Sequence, residues 1–483
     1  MAYYLTYDLG TTALKTALIS ADGRLAAAAT REYTPRSPAP GQAEMEPEVY
    51  WQAVVETTRQ VFAQAGGEVL AVGFSSQGQT FIPLDRHGRP LYPAILWLDL
   101  RAREVAAEWQ ARWLSPARFQ RMCGYAYLPA ELTVFKIAWL REHHPPAHRA
   151  WKFLFLPDYI LYLLTGETVT DPVLARMGGL FSLERNDWDP DLLAAAGVQR
   201  EQLPAVLPPG SIAGRLTAQA AEALGLTPGI PVCTGCNDQL AGGIGAGNVR
   251  AGIISETTGT ALAVIATTPA LPDDPRLVVG THAVPGLYYA MSFSNTSAVL
   301  LTWLREVCGR AGEDFADFLS GVGRIPPGSD GLTVLPHFAG TPADPAARGA
   351  FVGLTLSHTR DHLARAIMEA CACLLREHVE PFEALFTVDG VRSMGGAARS
   401  DLWLQLKADL LGLPVERPAC PQPANLGAAM LAAVGTGRFA HLAEAAAAWY
   451  RPAAVFTPDP TRWEIYQGVY ARYRSYSQRL YGL

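Results

Sequence analysis

Residues 3–20 read YYLTYDLGTTALKTALIS, and their reading decides the fold. An apolar run ends at Asp8-Leu9, breaks at Gly10-Thr11-Thr12, and resumes from Ala13 to Ser20. Ala21-Asp22-Gly23-Arg24 is a second turn and Leu25 to Thr30 a third run, so a β-meander is expected. A helix is expected over 47–65, with proline and acid in its first turn, and then a buried strand from Val69 to Ser75. Strands interleaved with long helices indicate an α/β fold. In the first turn, Gly10 lets the backbone approach a ligand closely, and successive N–H groups make a nest suited to an anion such as a phosphate. Asp8 at the strand end can hold Mg²⁺, directly or through water, and Lys15 adds a cation nearby. The alternative is a plain hairpin with an aspartate at its base.

The opening pattern recurs: a strand from Ile253 to Thr257, a turn at Thr258-Gly259-Thr260, and a strand from Ala261 to Thr267. Two such units suggest a duplicated fold with two phosphate-binding hairpins facing each other. Between them, helices are expected over 99–113, 131–143, 154–165 and 189–196, and a buried strand over 230–236. That strand leads into Gly235-Cys236-Asn237-Asp238-Gln239. A carboxylate at the C-terminal end of a buried strand points into a ligand crevice. Phosphoryl transfer to an alcohol needs an acceptor for the hydroxyl proton, and Asp238 is the candidate; its other reading is the N-cap of the next helix. A third junction, Met394-Gly395-Gly396-Ala397-Ala398-Arg399-Ser400, follows a strand over 390–394. Its small residues would let a flat ring lie on the backbone, although a lone GGA is a weak signal.

At 483 residues the chain is long enough for two domains. The net charge is -6 and no Lys/Arg run occurs, which argues against a nucleic-acid partner. Seven scattered cysteines suggest a reduced, cytoplasmic protein, with the Cys233–Cys236 pair read as buried thiols. No signal peptide or membrane-spanning run is expected, because Asp8 interrupts the first apolar stretch. His143-His144 reads as a helix end, and His358 with His362 as a helix start, rather than as metal ligands.

Two further stretches carry a resemblance. Gly349 to Leu354, followed by His362 to Glu369, fits the C-terminal signature of the FGGY carbohydrate kinases in full. Thr133, Lys136, Trp139 and Leu140 match the family's other signature, from which Glu131 departs. Gly41 to Pro47 and Trp97 to Arg101 also look like family segments, and the likeness runs from residue 4 to about 480. The chain thus resembles this family, closest in style to its xylulokinase branch.

The resemblance implies an α/β, two-domain actin-like ATPase (ribonuclease H-like) fold with a ligand cleft between the domains: 1–246 for sugar, 247–483 for nucleotide. Asp8, Gly10, Thr11, Thr12 and Lys15 would meet the triphosphate and Mg²⁺, and Thr258, Gly259 and Thr260 would form the second phosphate-facing turn. Gly395, Gly396 and Ala397 would lie under adenine, with Ser400 and Asn425 nearby. Asp238 would be the base, and the sugar would meet the 75–80 loop (Gln77, Gly78, Gln79), Trp97, Asp99 and Asp171. The departures fall in the sugar site. Xylulokinases usually have Met-His-Gly after Gly-Gln, where this loop reads Ser75-Ser76-Gln77-Gly78-Gln79-Thr80. Val173 and Arg176 stand where xylulokinases tend to have serines. Gln77 and Gln79 suit polyhydroxy ligands, or else they hold the loop itself.

The expectation is an ATP- and Mg²⁺-dependent kinase acting on xylulose or a related ketose or polyol, with no nucleic-acid or membrane partner, as a monomer or homodimer. Two other classes remain: an actin-like ATPase whose hydrolysis drives a partner, and a silent sugar sensor. The presence of Asp8 and Asp238 argues against the sensor.

Overall fold

The computed structural model describes residues 1–310, 312–341, 344 and 346–482. The chain forms two compact units. The first holds Met1–Val249, Thr268–Ala290 and Cys420–Tyr450; the second holds Arg250–Thr267, Met291–Ala419 and Arg451–Leu483. The main crossing lies close to the expected 246/247 division, but two later stretches return to the first unit. The helices that bear on the site are α1 (Pro47–Ala65), α2 (Thr133–His143), α3 (Pro172–Met177), α4 (Asp238–Gly245), α5 (Arg360–Glu383), α6 (Asp401–Leu411) and α7 (Pro423–Gly435).

The first unit is built on a sheet of β1 (Ala2–Leu9), β2 (Ala13–Ser20), β3 (Leu25–Glu32), β4 (Glu68–Ser76), β5 (Ile212–Arg215), β6 (Pro231–Cys233) and β7 (Cys236–Asn237). The order is β5-β6-β4-β1-β2-β3, with β7 also alongside β4. β1 pairs antiparallel with β2 and parallel with β4. It is covered on both faces, so it reads as a continuous apolar run rather than an alternation. One cover is α1, whose inward residues Tyr50, Ala53, Val54, Thr57 and Val61 keep helical spacing. Thr57 there meets Thr16 of β2 at 2.7 Å, and Thr58 meets the Tyr7 hydroxyl at 2.6 Å. The other cover is α7. A Cβ at Gly73 would stand 2.7 Å from the Ala428 carbonyl oxygen, so glycine there lets helix and strand approach.

The expected helix over 154–165 begins at Leu156. Lys152–Phe155 form a strand against Phe81–Leu84 instead, because Phe153, Leu154 and Phe155 bury as sheet residues. The expected 230–236 strand is two short pieces, β6 and β7, and Cys233 and Cys236 are buried thiols. Burial pushes the Cys233 thiol up to about 12.

The second unit repeats the pairing pattern. Its main sheet includes β8 (Ile253–Thr258), β9 (Leu262–Thr268), β10 (Gly390–Met394), β11 (Val415–Pro418) and β12 (Pro452–Phe456), adjacent in the order β9-β8-β10-β11-β12. β8 pairs antiparallel with β9 and parallel with β10, as β1 does with β2 and β4. α5 and α6 pack into this unit's own core. His362 accepts from the Thr359 N–H at the start of α5, the helix-start role expected of it. Among the described residues, no helix is long and apolar enough to cross a membrane.

Candidate active site

In the first unit, β1 and β4 run parallel with Asp8 opposite Ser75, so both side chains arrive at the same end of the sheet. The Ser75 hydroxyl donates to Asp8 at 2.7 Å. Burial raises the Asp8 carboxyl above the usual range, and Ser75 and Lys15 oppose that rise. The turn after Asp8 is tied down through the Gly10 carbonyl, which accepts from Tyr33 Oη at 2.7 Å and Gln77 Nε2 at 3.1 Å. Thr12 and Lys15 are exposed and Thr11 half-buried. The Trp97 indole, 40% exposed, donates to Thr11 Oγ1 at 2.8 Å, which sets an open aromatic face beside the turn.

β7 lies along the end of β4, with Asn237 opposite Ser76. Asn237, not Asp238, is the N-cap of α4: its side chain accepts from the Gln239 N–H. Asp238 is the first helical residue and also accepts from Gln239, at 2.8 Å, while keeping part of its surface accessible. Burial first, and then the charge of Asp8, push its pKa up to about 7. The two carboxylates therefore occupy one electrostatic environment.

The substrate loop is held from behind. Gln79 takes a left-handed backbone, φ 56°, uncommon for a residue with a side chain. Its carbonyl accepts from Thr133 Oγ1 at 2.8 Å and from Lys136 Nζ at 3.1 Å, and Lys136 also donates to the Leu96 carbonyl at 2.8 Å. Lys136 is fully buried, and burial depresses its pKa to about 7. Sequence reasoning found Lys136 and Thr133 only as signature matches and Ser75 and Thr80 only as parts of the 75–80 loop, and it missed Tyr33; the Thr80 hydroxyl accepts from the Trp97 N–H.

Four of the residues expected to contact ligand are buried and hold protein partners. Asp99 is fully buried: one oxygen accepts from the N–H and Nε of Arg101, the other from Ala43 N–H and Arg101 Nη2, so it has no face for a sugar. Asp171 is buried and caps α3 through Val173 and Leu174. Asn425, expected by adenine, lies fully buried in the first unit and donates to Thr6 and to the Lys15 carbonyl. Gln77 is buried, with its amide on Gly10, which is the loop-holding alternative.

In the second unit, the Thr258–Thr260 turn abuts the glycine junction. Gly395 has φ 83°, and a Cβ there would stand 2.7 Å from the Thr258 carbonyl oxygen. Gly395 and Gly396 are exposed, and a Cβ on Gly259 or Gly396 would meet none of the described residues within 4 Å, so both offer open backbone. Ala397 is buried, and Ser400 caps α6 through Trp403 N–H. The Thr258 hydroxyl is turned inward: it donates to Glu256 at 2.6 Å and accepts from Lys407 at 2.9 Å. Any ligand contact of Thr258 is left to its backbone. Glu256 and Lys407, both without exposed surface, form an ion pair at 2.5 Å beneath the turn.

Comparison with known proteins gives a consistent picture. The profile described as "FGGY family of carbohydrate kinases, N-terminal domain" matches residues 3–245, and the corresponding C-terminal profile matches 252–436. A xylulose kinase of Lactococcus lactis is 31% identical, with 97% of this chain and 95% of that protein covered. The L-xylulose/3-keto-L-gulonate kinase of Escherichia coli is 30% identical, with 99% and 97% covered. The crystal structure of xylulose kinase from Rhodospirillum rubrum superposes with a TM-score of 0.92 at 31% identity, with 99% of each chain covered.

Proposed function

From the premise that this chain belongs to the FGGY family of carbohydrate kinases, we propose that it transfers the γ-phosphate of ATP, with Mg²⁺, to a hydroxyl of a small sugar such as xylulose or a related ketose or polyol, with Asp238 as the base. The observation that carries this reading is the pairing of Asp8 and Asp238 at one sheet end, beside the tied turn at Gly10 and the open face of Trp97.

The donor set fits the groups this reading needs. Mg²⁺ is commonly held by one or two carboxylates together with phosphate oxygens and water. Neighbouring carboxylates with raised pKa values are groups that a divalent cation stabilises. Asp8 would hold the cation, and the N–H groups of the Gly10–Thr12 turn with Lys15 would hold the phosphates. We assign the base end of the nucleotide to Gly395 and Gly396, and a phosphate contact to the backbone of Gly259 and Thr260. When bound, Mg-ATP supplies the transferred phosphoryl group and the charge that neutralises it.

The chain's own residues do the rest. Trp97 presents an aromatic face to the sugar's C–H surface, and Gln79 an amide to its hydroxyls. Asp238 orients the acceptor hydroxyl and takes its proton as the oxygen–phosphorus bond forms. A carboxylate near 7 holds a proton more firmly than one near 4, so it is the stronger base. The same reading has the protein working in the cytoplasm, as a monomer or homodimer.

An ADP-release screen over ketopentoses, alditols, tetroses and aldohexoses tests the reading. ATP turnover should depend on the sugar, and Asp238→Asn should lower it by about 10²–10⁴-fold while nucleotide still binds. ATP turnover that no sugar alters would replace this reading with a partner-coupled ATPase.

A further inference from the structure

Arg176, on α3, is fully buried in the first unit. Its Nη1 donates to Thr281 Oγ1 at 2.6 Å, and its guanidinium carbon stands 5.4 Å from the Phe181 ring centre. Nε and Nη2 have no hydrogen-bond partner among the described residues. Asp171 lends only through-space charge, since the oxygen it uses caps α3. A second orphan lies in the same place: Tyr289 Oη is buried and has no partner among the described residues. A Cβ on Gly280, next to Thr281, would come within 2.7 Å of that hydroxyl. An arginine has five donors in a fixed fork, and leaving a buried one without an anion is strongly unfavourable.

The cluster adjoins the substrate loop. A Cβ at Gly78 would stand 3.4 Å from Met177 Sδ, the residue after Arg176, and 3.5 Å from Asn237 Nδ2, the residue before Asp238. From the loop, Gln79 Nε2 donates to Tyr125 Oη at 3.3 Å. Tyr125 lies near enough to Tyr289, and Tyr289 to Arg176, for their charges to act on one another. Gln79 is the half-exposed end of this polar line.

Resting on the kinase reading above, we propose that the substrate carries a carboxylate, which Arg176 and the Tyr289 hydroxyl receive. The acceptor is then an aldonate or keto-aldonate rather than a neutral ketose or polyol. A carboxylate matches the fork of a guanidinium and accepts a tyrosine proton as well. The orphan atoms have no accessible surface, so on this proposal a side chain must move for the carboxylate to reach them, and the half-exposed Gln79, bonded to Tyr125, is the one that would.

The test uses the full chain with Mg-ATP and matched pairs of four to six carbons: D-erythronate with erythritol, D-xylonate with xylitol, D-gluconate with D-glucitol, and D-xylulose besides. The expected result is that the best aldonate exceeds its alditol in kcat/KM by about 10- to 100-fold, the range commanded by a hydrogen bond to a charged group. Arg176→Ser should lower that ratio by a similar factor, and Arg176→Lys by less. The proposal is overturned if D-xylulose or an alditol outperforms every aldonate, or if Arg176→Ser depresses both members of a pair alike; the kinase reading survives either result. If no sugar is phosphorylated while calorimetry shows ATP bound, the kinase reading falls and takes this one with it. Should Arg176→Ser fail to fold by circular dichroism, the wild-type ratios and Arg176→Lys decide.

Discussion

Asp238 titrates near 7 because it is enclosed by protein with Asp8 beside it. Its basic form is lost as pH falls through that value, so kcat/KM should decline below pH 7 with unit slope in a pH-rate profile. Asp238→Asn should lower kcat by about 10²–10⁴-fold, the range for a general base, with little change in nucleotide affinity by calorimetry. Asp171 is also raised to about 7 by burial, and one of its carboxylate oxygens caps α3. The folded protein holds that proton more tightly than the unfolded chain, so the stability it contributes is present at acid pH and is lost as pH rises toward 7. Asp171→Asn keeps the cap and removes the charge. It should raise the melting temperature at pH 8 and change it much less at pH 5. Lys136→Met takes the ammonium donor from the carbonyls of Gln79 and Leu96, leaving them to Thr133 Oγ1 and the Asp99 N–H. It should cost about 1–3 kcal/mol by denaturant melt and raise the sugar KM about tenfold or more, because the loop loses its backstop.

At the scale of elements, the signature that identifies the family most sharply is a packing device. Arg365 and Glu369 of α5 are buried and paired at 3.1 Å. Glu369 also accepts from the Gly328 N–H and the Ser329 hydroxyl, and Arg365 donates to Tyr466 at 2.6 Å. The motif fastens a loop and a distant helix to α5, and no ligand chemistry is needed to account for its charged residues. The Lys407–Glu256 pair does the same between α6 and β8, directly under the Thr258–Thr260 turn. Lys407→Met alone should cost about 3–5 kcal/mol by denaturant melt, since a buried carboxylate loses its cation. Lys407→Met with Glu256→Gln should recover most of that loss.

At the scale of the molecule, each unit has its own hydrophobic core. Asp8, Gln79, Trp97 and Asp238 all belong to the first unit. A sugar acceptor added without nucleotide should therefore increase amide hydrogen-exchange protection mainly in 1–249, 268–290 and 420–450, as measured by mass spectrometry. The strand–turn units at Asp8 and Thr258 could be read from the sequence because a run of apolar residues broken by Gly-Thr is a local fact, set by backbone sterics within about ten residues. The strand–loop placing of Asp238 was legible for the same reason. Asp99 looked like Trp97, another polar-capable residue in a family segment, and only the packing of Ala43 and Arg101 around its carboxylate separates an internal clamp from an open indole. Asn425 bonds Thr6, 419 positions away, a contact that no local pattern encodes. The sequence by itself determined the strands, the turns and the kinds of group brought to them, since those follow from side-chain pattern and backbone sterics. Tertiary structure alone decided which polar groups stay open to a ligand and which, like Arg176, are left buried in need of one, because burial and hydrogen-bond pairing depend on residues far apart in the chain.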